Sequence, residues 1–465
     1  MTRLRLDPLF LSRIQFAWVI GWHILLPAFT VGLASFIAFL EGGYALTRRP
    51  VFVELSQFWL RIFAISFGMG VVTGIVMPFQ LGTNWSRFAD DAGNVISPLL
   101  AYEGLTAFFL EATFLGIMLF GWKRVPPWLH VLSAVLVAIG TVTSAFWIIS
   151  ANSWMQVPAG YVLRDGIAYP EDWLKIVFSP TFPVRLVHMV TAAYLTTAFV
   201  VLAVGARFYL GGRHLDHART MLKMGIAMAA VLAPLQLFIG DRHGLQVAEY
   251  QPAKLAAIEG HWEDTGPAPL VLFAIPNPAT ESNDYELSIP HGASLIVTHS
   301  LDGRFKGLKD FAPADRPMVI GPFFAFRIMV AIGLAMIAMG FWGAWLWWSR
   351  RLETSRLFLH IAALSWPFGF IAILSGWTVA ETGRQPWIAT GILRTLDAAS
   401  PIPAAAVAVT LGLFLVVYGI VFAAGIVYMN RLINRGPAGE GAPVEGTPNR
   451  PITAAAGADV MSGEG

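Results

Sequence analysis

The amino-acid sequence predicts an all-α polytopic membrane protein, with about nine transmembrane helices packed in a bundle. Two observations support this fold class. Of the 465 residues, 56% are hydrophobic and only 13% are charged, a composition outside the range of soluble domains. Hydrophobic runs of about 20 residues, the length that crosses a bilayer, recur along the whole chain, and this pattern excludes a single membrane anchor.

Polar breaks divide the hydrophobic runs into nine candidate spans. The spans cover approximately residues 15–40, 55–80, 98–121, 128–150, 184–210, 220–240, 320–348, 357–379 and 403–429. The first run is too long for the core of a signal peptide, and no small-residue cleavage pattern follows it, so we expect a retained helix. The sequence shows no repeat at a fixed period, which disfavours an inverted-repeat transporter.

The positions of Lys and Arg predict how the helices are oriented in the membrane. Most of these residues follow odd-numbered spans: Arg48, Arg49, Lys123, Arg124, Arg213, Arg219, Lys223, Arg350, Arg351, Arg356, Arg431 and Arg435. By the positive-inside rule those loops are cytoplasmic. We therefore expect the N-terminus outside and the C-terminus in the cytoplasm, although three arginines before the first span argue mildly against this orientation.

The spacing of the spans predicts the domain organisation. Residues 1–435 form one transmembrane domain, in which a long polar connection, residues 241–319, joins spans six and seven. This connection faces the periplasmic side in the predicted orientation, and connections of such length are more often functional than passive. Residues 436–465 are rich in Gly, Pro and Ala, and we expect a disordered cytoplasmic tail.

Composition excludes several kinds of metal site. The chain has no Cys, which rules out thiolate-ligated haem, iron–sulfur clusters, c-type haem attachment and disulfides. Of ten histidines, only His23 and His188 lie well inside predicted spans. Two are too few for a haem–copper oxidase core, so no copper centre is expected. The net charge of +2, from scattered basic residues, does not predict nucleic-acid binding.

Ionisable groups inside the spans are candidates for function because their burial in a membrane is costly. His23 and His188 could each be a metal ligand or a hydrogen-bonded structural residue. Glu103 and Glu111 lie eight residues apart in span three, which corresponds to about 12 Å along a helix and roughly the same side of it. Such a pair could relay protons, contribute a metal ligand, or form a buried polar contact with a neighbouring helix.

Further candidates lie near the later spans. Glu381 and Arg384 follow span eight among tryptophans, where either a functional cluster or an interfacial aromatic belt with an Arg–Glu pair is consistent with the pattern. Met329 stands beside Arg327 at the start of span seven. A membrane methionine is usually a packing residue, but paired with His188 it could complete a low-spin haem, and the arginine could balance a haem propionate.

The long connection contains one helix-like segment, QPAKLAAIEGHWE, which places Lys254 and Glu259 among apolar residues. Five residues apart, the two side chains need not touch on a helix. From the pattern alone, a solvated amphipathic stretch is the favoured interpretation.

Seven sequence strings carry a family resemblance. They are GWHILLP, FGMGVVTGIVMPFQLGTNWS, EGLTAFFLEATFLG, ANSWMQ, KLAAIE, FAFRIMV and ETGRQPW, and the match as a whole runs from about Leu11 to Met429. In this order the set resembles subunit I of the cytochrome bd ubiquinol oxidase family. No large insertion precedes FAFRIMV, so the chain resembles the short Q-loop branch, which includes the cyanide-insensitive quinol oxidases.

The resemblance implies a set of haem ligands. His188 and Met329 match the axial ligands of a low-spin haem b. His23 and Glu381, in either order, match axial ligands of a high-spin haem b and of haem d, and in the short-loop branch this third haem could be b-type. Glu103 matches a further carboxylate at the oxygen-reducing end.

The resemblance also implies roles beyond iron ligation. Glu111 matches a residue associated with proton delivery. Lys254 and Glu259 match residues implicated in quinol oxidation, within the connection that the family calls the Q loop, here 241–319. Arg327 and Arg384 match arginines near the haems, and Trp377 matches an aromatic residue between them.

The implied activity is that of a multi-pass oxidase of the bacterial inner membrane. Such an enzyme oxidises ubiquinol or menaquinol at the outer face and reduces dioxygen to water without copper, and it builds a proton gradient by charge separation instead of pumping. The implied partners are a second large membrane subunit (subunit II) and sometimes a very small accessory subunit, with no nucleic acid. The alternative, a polytopic transporter with buried carboxylates, leaves the His/Met pair unexplained.

Overall fold

The computed structural model describes residues 7–264 and 266–437. Of the tail expected over 436–465, residues 438–465 lie outside the described residues. The described part is overwhelmingly helical and carries only three small β-hairpins, all in connections between the long helices.

The helices vary from one turn to more than ten. The first half of the chain forms α1 (Pro8–Thr47), α2 (Pro50–Asn84), α3 (Ser86–Glu103), α4 (Phe109–Phe120), α5 (Pro127–Gln156), α6 (Trp173–Val177) and α7 (Phe182–Leu210). A π-helical segment, Gly104–Phe108, joins α3 directly to α4. The second half forms α8 (Leu215–Tyr250), α9 (Pro252–Glu259), α10 (Gly292–Thr298), α11 (Ile320–Trp348), α12 (Arg356–Leu364), α13 (Phe368–Thr382), α14 (Thr395–Ala398) and α15 (Ala404–Arg435).

The strands form three antiparallel pairs. These are β1 (Tyr161–Arg164) with β2 (Ile167–Pro170), β3 (Leu270–Asn277) with β4 (Ser282–Ile289), and β5 (Trp387–Ala389) with β6 (Leu393–Arg394). Two 3₁₀ turns, Leu308–Asp310 and Pro313–Asp315, complete the long connection.

Eight helical segments among the described residues are long and apolar enough to cross a membrane, and a bent pair raises the number to nine. The bent pair consists of α12 and α13, which meet at an angle of 44°. Pro367 stands immediately before α13, where a residue without a backbone N–H is tolerated at a helix start but cannot continue the preceding helix. The predicted fold class and the predicted number of spans are therefore confirmed.

The core lies around α1 and α7, which are the most enclosed helices. The largest apolar cluster joins these two helices to α2 and α5, and a second cluster joins α7 to α8, α11 and α12. Gly32 of α1 allows a close approach to α7, because a Cβ at this position would lie 2.7 Å from the carbonyl oxygen of Ala193. Small residues at such crossings let the backbones of membrane helices pack closely.

Basic loops meet at one end of the bundle. Arg219, at the start of α8, pairs with Glu353 of the α11–α12 loop at 3.0 Å. Arg213 donates to the carbonyl oxygen of Asn434 near the end of α15 at 2.9 Å. These contacts place loops after odd-numbered spans together, as the positive-inside pattern requires, while the orientation relative to a membrane stays a prediction.

The long connection begins later than predicted. The sequence placed its start at residue 241, but α8 continues without a break to Tyr250. Asp241 and Arg242 lower the local hydropathy without ending the helix, because both side chains are exposed and the backbone hydrogen bonds continue beneath them. The connection, hereafter the Q loop, therefore covers residues 251–319 and contains α9, the β3–β4 hairpin and α10.

Candidate functional site

A buried polar cluster lies where α5, α9 and α13 meet. Glu381, in the last turn of α13, accepts hydrogen bonds on Oε1 from Nδ2 of Asn152 at 3.0 Å and from Nε2 of Gln156 at 3.3 Å. Its Oε2 pairs with Nη2 of Arg384. Asn152 and Gln156 are one helical turn apart on α5, so both amides reach the same oxygen. The carboxylate is therefore held from two sides.

Two arginines surround this carboxylate. Arg185 of α7 donates to Oδ1 of Asn152 at 2.5 Å and to Oγ of Ser153 at 2.9 Å. Arg384 is only 7% exposed, and its Nε and Nη1 have no hydrogen-bond partner among the described residues. Buried, unpaired guanidinium nitrogens are costly. An anionic group such as a carboxylate of a bound ligand would satisfy them.

Lys254 of α9 reaches into the same cluster. Its Nζ donates to Oε1 of Gln156 at 3.0 Å and to Oε1 of Gln251 at 3.3 Å. The side chain is 5% exposed, and burial lowers the pKa of Lys254 to about 7, with a further contribution from the charge of Arg185. Gly383 provides space for it, since a Cβ there would lie 2.9 Å from Cγ of Lys254.

Glu259 ends α9 on a different side from Lys254. Its carboxyl is buried, and Oε2 has no hydrogen-bond partner among the described residues. Burial raises the pKa of Glu259, while the positive charge of Arg327 opposes this effect. The solvated interpretation of this segment is wrong, because every residue from Lys254 to Glu259 is buried.

Arg327 of α11 fixes the end of α9 to the bundle. Its Nη1 donates to the carbonyl oxygen of Ile258 at 2.9 Å, and its Nε and Nη2 donate to that of Val271 at 3.0 and 2.6 Å. The guanidinium also lies 3.4 Å from the centroid of the Phe323 ring. Positive charge at the last carbonyls of a helix is favourable. The structure therefore gives Arg327 an anchoring contact in the Q loop, and its expected place near a haem stays a prediction.

His188 of α7 faces α8. A ring nitrogen, Nε2, lies 3.3 Å from Nε2 of Gln236, and the other, Nδ1, is buried without a partner among the described residues. The ring of His243 lies 5.5 Å from that of His188, centroid to centroid. A Cβ on Gly240 would lie 3.4 Å from Cε1 of His188. Because the amide nitrogen of Gln236 can only donate, Nε2 of His188 carries the lone pair and Nδ1 carries the proton of a neutral ring, so Nε2 is the nitrogen that a metal could take in place of Gln236.

Met329 and Trp377 lie where α11 meets α13. A Cβ on Gly376 would lie 3.1 Å from the sulfur of Met329, so the thioether rests against bare backbone. Trp377 is half-buried and stands four residues before Glu381, on the same face of α13. This helix therefore carries one candidate iron ligand and contacts a second.

His23 of α1 is oriented by α2. Its Nδ1 lies 2.9 Å from Oγ1 of Thr73, whose single proton is donated to the carbonyl oxygen of Met69 at 2.9 Å. Nδ1 must then donate its proton to Thr73, which leaves the lone pair on Nε2 for a metal. A Cβ on Gly74 would lie 3.2 Å from Cε1 of His23.

Glu103 and Glu111 both face α5. Oε1 of Glu103 accepts a hydrogen bond from Oγ of Ser144 at 2.8 Å. Glu111 is buried with Oε1 unpartnered among the described residues, and its Cγ packs 2.6 Å from the position of a Cβ on Gly140. Ser144 and Gly140 are one turn apart on α5, so the two carboxylates lie on one side of their helix, with the π-helical segment between them.

Comparison with known proteins identifies the family to which the chain belongs. The model of the family described as cytochrome bd terminal oxidase subunit I matches residues 11–437. The chain belongs to this family. The family resemblance given by the sequence strings is thereby confirmed, while the short Q-loop branch stays a prediction.

Two curated members of the cytochrome bd family and one solved structure show how far the similarity extends. Cytochrome bd ubiquinol oxidase subunit 1 of Bacillus subtilis (strain 168) is 34% identical over 406 residues, 85% of this chain and 87% of that protein. Cytochrome bd-II ubiquinol oxidase subunit 1 of Escherichia coli (strain K12) is 32% identical, covering 93% of this chain and 97% of that protein. The bd oxidase structure from Geobacillus thermodenitrificans superposes with a TM-score of 0.86 at 32% identity, over 93% of this chain and 100% of that chain.

Membership of the cytochrome bd family implies haem cofactors, and the residues present fit them. The side chains of His23, His188 and Met329 each face a glycine, namely Gly74, Gly240 and Gly376. Each glycine lets the ligand side chain lie directly against the backbone of the neighbouring helix, and imidazole and thioether groups are ligands of haem iron. The unpaired nitrogens of Arg384 suit a haem propionate.

Several residues at this cytochrome bd site were not identified from the sequence. Asn152 and Gln156 lie within the string ANSWMQ, and Arg185 lies three residues before His188, but only the fold shows that they surround Glu381. His243 was assigned to a loop because the end of α8 was placed too early.

Proposed function

We propose that the chain is the haem-bearing subunit of a terminal quinol oxidase, which oxidises quinol at the outer membrane face and reduces dioxygen to water without a copper centre. The observation that carries this proposal is the position of three candidate iron ligands, His23, His188 and Met329, in a member of the cytochrome bd family. Each of these side chains lies against a glycine of a neighbouring helix.

The proposed haems are a low-spin haem b, a high-spin haem b and a third haem of d or b type. When bound, they would carry electrons from quinol to dioxygen and provide the iron at which oxygen is reduced. His188 and Met329 would hold the low-spin haem, and His23 and Glu381 the other two, in either order. Arg384 would pair with a propionate, and Trp377 would lie between haems.

Lys254 and Glu259 serve quinol oxidation in this proposal. The ammonium group of Lys254 donates a hydrogen bond to a quinol oxygen, and the carboxylate of Glu259 accepts a proton from the quinol hydroxyl. A buried carboxyl suits this task because its raised pKa makes it a stronger base than an exposed glutamate. The proton then leaves toward the outer side.

Glu111 supplies protons for oxygen reduction in this proposal. Its buried carboxyl, with Oε1 unpartnered among the described residues, can accept a proton from the cytoplasmic side and pass it toward the oxygen-reducing end. Glu103, held by Ser144, lies nearer to that end and contacts the haem site. Charge separation arises because protons are taken up and released on opposite sides, without a pump.

The proposed setting is the bacterial inner membrane, with the N-terminus and the Q loop outside and the C-terminus in the cytoplasm. The proposed partners are a second large membrane subunit and, beside it, a very small accessory subunit. Much of α15 is exposed and apolar, including Val416, Val417 and Ile420, as suits contact with lipid or with another membrane subunit. The substrates are ubiquinol or menaquinol and dioxygen.

Absorbance spectra of the purified complex, reduced minus oxidised, test this proposal together with pigment extraction and metal analysis. We expect b-type haem bands and no copper, and extraction identifies the third haem. A complex without haem bands would support the alternative, a polytopic transporter with buried carboxylates. Stoichiometric copper would contradict the copper-free assignment.

A further inference from the structure

Gln156 uses the full hydrogen-bonding capacity of its buried side-chain amide, with two contacts from the nitrogen and two to the oxygen. It is 1% exposed and ends α5. Its Nε2 donates to Oε1 of Glu381 at 3.3 Å and to the carbonyl oxygen of Ala380 at 3.2 Å. Its Oε1 accepts from Nζ of Lys254 and from Nε2 of Gln251, each at 3.0 Å. One amide therefore joins the Q loop to the end of α13.

The two ends of this amide have fixed roles. The ammonium form of Lys254 can only donate, so it holds the oxygen of Gln156 toward α9, and the NH₂ group must then point toward Glu381. The amide cannot rotate without losing contacts on both sides. Any displacement of the Lys254 ammonium thus changes the hydrogen bond that Glu381 receives.

Asn152 provides an internal comparison. It donates to the same oxygen of Glu381 at 3.0 Å, but its own oxygen accepts from Arg185 of α7. Asn152 has no contact with α9 among its described hydrogen bonds. Of the two amides on α5, Gln156 alone links Glu381 to the Q loop.

We infer that Gln156 is a positioning residue that couples the quinol-binding Q loop to the carboxylate of Glu381. This inference rests on the proposed function, in which Lys254 contacts quinol and Glu381 binds haem iron. Quinol bound at Lys254 draws the ammonium away from Gln156, weakens the hydrogen bond to Oε1 of Glu381, and so makes this carboxylate a stronger donor to the iron. No atom or proton is transferred through the amide.

A double-mutant cycle on the purified complex tests the coupling. Midpoint potentials of the haems are measured by spectroelectrochemical titration in the wild type, Lys254→Met, Gln156→Leu and the double variant. In the wild-type background, Lys254→Met removes a cation from the network and lowers the midpoint potential of one haem. In the Gln156→Leu background, we expect this shift to be lost. An equal shift in both backgrounds would overturn the inference, because the charge would then act through space alone.

Two controls separate positioning from general disruption. Asn152→Leu removes the other amide contact of Glu381, and the Lys254-dependent shift should persist in that background. Gln246→Leu replaces an amide whose one hydrogen bond among the described residues is donated to the carbonyl oxygen of Pro180, and it should leave every potential unchanged. Loss of the shift in either control would also contradict a specific role for Gln156.

A second variant covers the case in which Gln156→Leu does not accumulate. Gln156→Met keeps the approximate size but has no hydrogen-bond donor for Glu381, so the shift should again be lost. Addition of decylubiquinone to the oxidised wild-type complex should shift a haem band, and Lys254→Met should abolish that response. Unchanged potentials and bands in Lys254→Met would overturn the inference without any Gln156 variant. A wild type without haem would instead overturn the proposed function.

Discussion

Oε2 of Glu41 in α1 lies 2.7 Å from Nδ1 of His130 in α5, and both side chains are buried. Oγ of Ser56 in α2 donates to Oε1 of Glu41 at 3.1 Å, and Nε2 of His130 lies 3.1 Å from the carbonyl oxygen of Met118 in α4. These contacts satisfy both residues and join four helices away from Glu381. We interpret the pair as structural.

His130→Leu should destabilise the protein, because it leaves the carboxyl of Glu41 buried without its partner. Breaking a buried pair in this way costs about 3–5 kcal/mol. Thermal unfolding of the purified complex should therefore begin at a clearly lower temperature, with unchanged haem bands before unfolding. His360→Leu is the matched control, since His360 is exposed and, within the described part of the chain, bonds only to the backbone of Arg356 in its own helix. Equal melting temperatures for the wild type and His130→Leu would contradict the structural role.

Gly376→Val should remove the low-spin haem. The new side chain would meet the sulfur of Met329, which lies 3.1 Å from the Cβ position, and displace it from the iron. The same spectral loss is expected for Met329→Leu and His188→Ala, because a five-coordinate iron is no longer low-spin. Gly333→Val in α11 has no atom within 4 Å of its Cβ position and should keep the bands. Intact low-spin bands in both Met329→Leu and His188→Ala would refute the ligand assignment.

Glu259→Gln should slow quinol oxidation and leave oxygen chemistry intact, because the amide keeps the size but cannot take a proton. Burial raises the pKa of Glu259, so wild-type quinol oxidation should increase with pH as this carboxyl loses its proton. The variant should lose that increase. Stopped-flow absorbance separates reduction by quinol from reoxidation by oxygen. Equal slowing of both halves would indicate a structural role for Glu259.

Glu111→Gln should have the opposite effect on the two half-reactions. Reduction of the haems by quinol should proceed at the wild-type rate, and proton-coupled reoxidation by oxygen should be slow, because the relay group can no longer accept a proton. The same stopped-flow measurement applies, with Glu103→Gln as the comparison, since that change should also perturb haem bands. Normal reoxidation in Glu111→Gln would place the proton route elsewhere.

Lys254 should make quinol affinity depend on pH. Burial lowers the pKa of Lys254 to about 7, so its charged donor is present below that pH and is lost as pH rises through it. The KM for quinol should rise from about pH 6 to about pH 8.5. Lys254→Met should have a high KM throughout that range, with little pH dependence. A wild-type KM that does not change over this range would contradict the assignment of Lys254 to quinol binding.

Local sequence properties sufficed for the spans, since apolar runs of bilayer length can form only helices in a membrane. They failed at the end of α8, where Asp241 and Arg242 lie on an exposed face of a helix that extends to Tyr250. Helix ends beyond the apolar run are set by backbone hydrogen bonding, which hydropathy does not report. His243 was missed for this reason.

Contacts between distant residues could not be predicted. Glu41 lies one residue beyond the first predicted span, and no local pattern relates it to His130. Arg327 was expected near a haem propionate, yet its guanidinium meets the carbonyl oxygens of Ile258 and Val271, which only the folded Q loop brings within reach. The sequence strings identified Lys254 and Glu381 separately, but the amide that joins them became visible only in three dimensions.

The π-helical segment Gly104–Phe108 sets the angular phase of Glu111 relative to Glu103. In a regular α-helix, eight residues would turn the second carboxylate about 80° from the first. The wider π-helical turn accommodates one extra residue, which reduces the rotation between the two carboxylates about the helix axis by about 100°. Both side chains therefore face α5. If the same residues formed a regular α-helix, both glutamates would stay in the chain but would point about 80° apart, at different neighbours. In this stretch the hydrogen-bonding pattern of the backbone matters as much to the chemistry as the identity of the side chains.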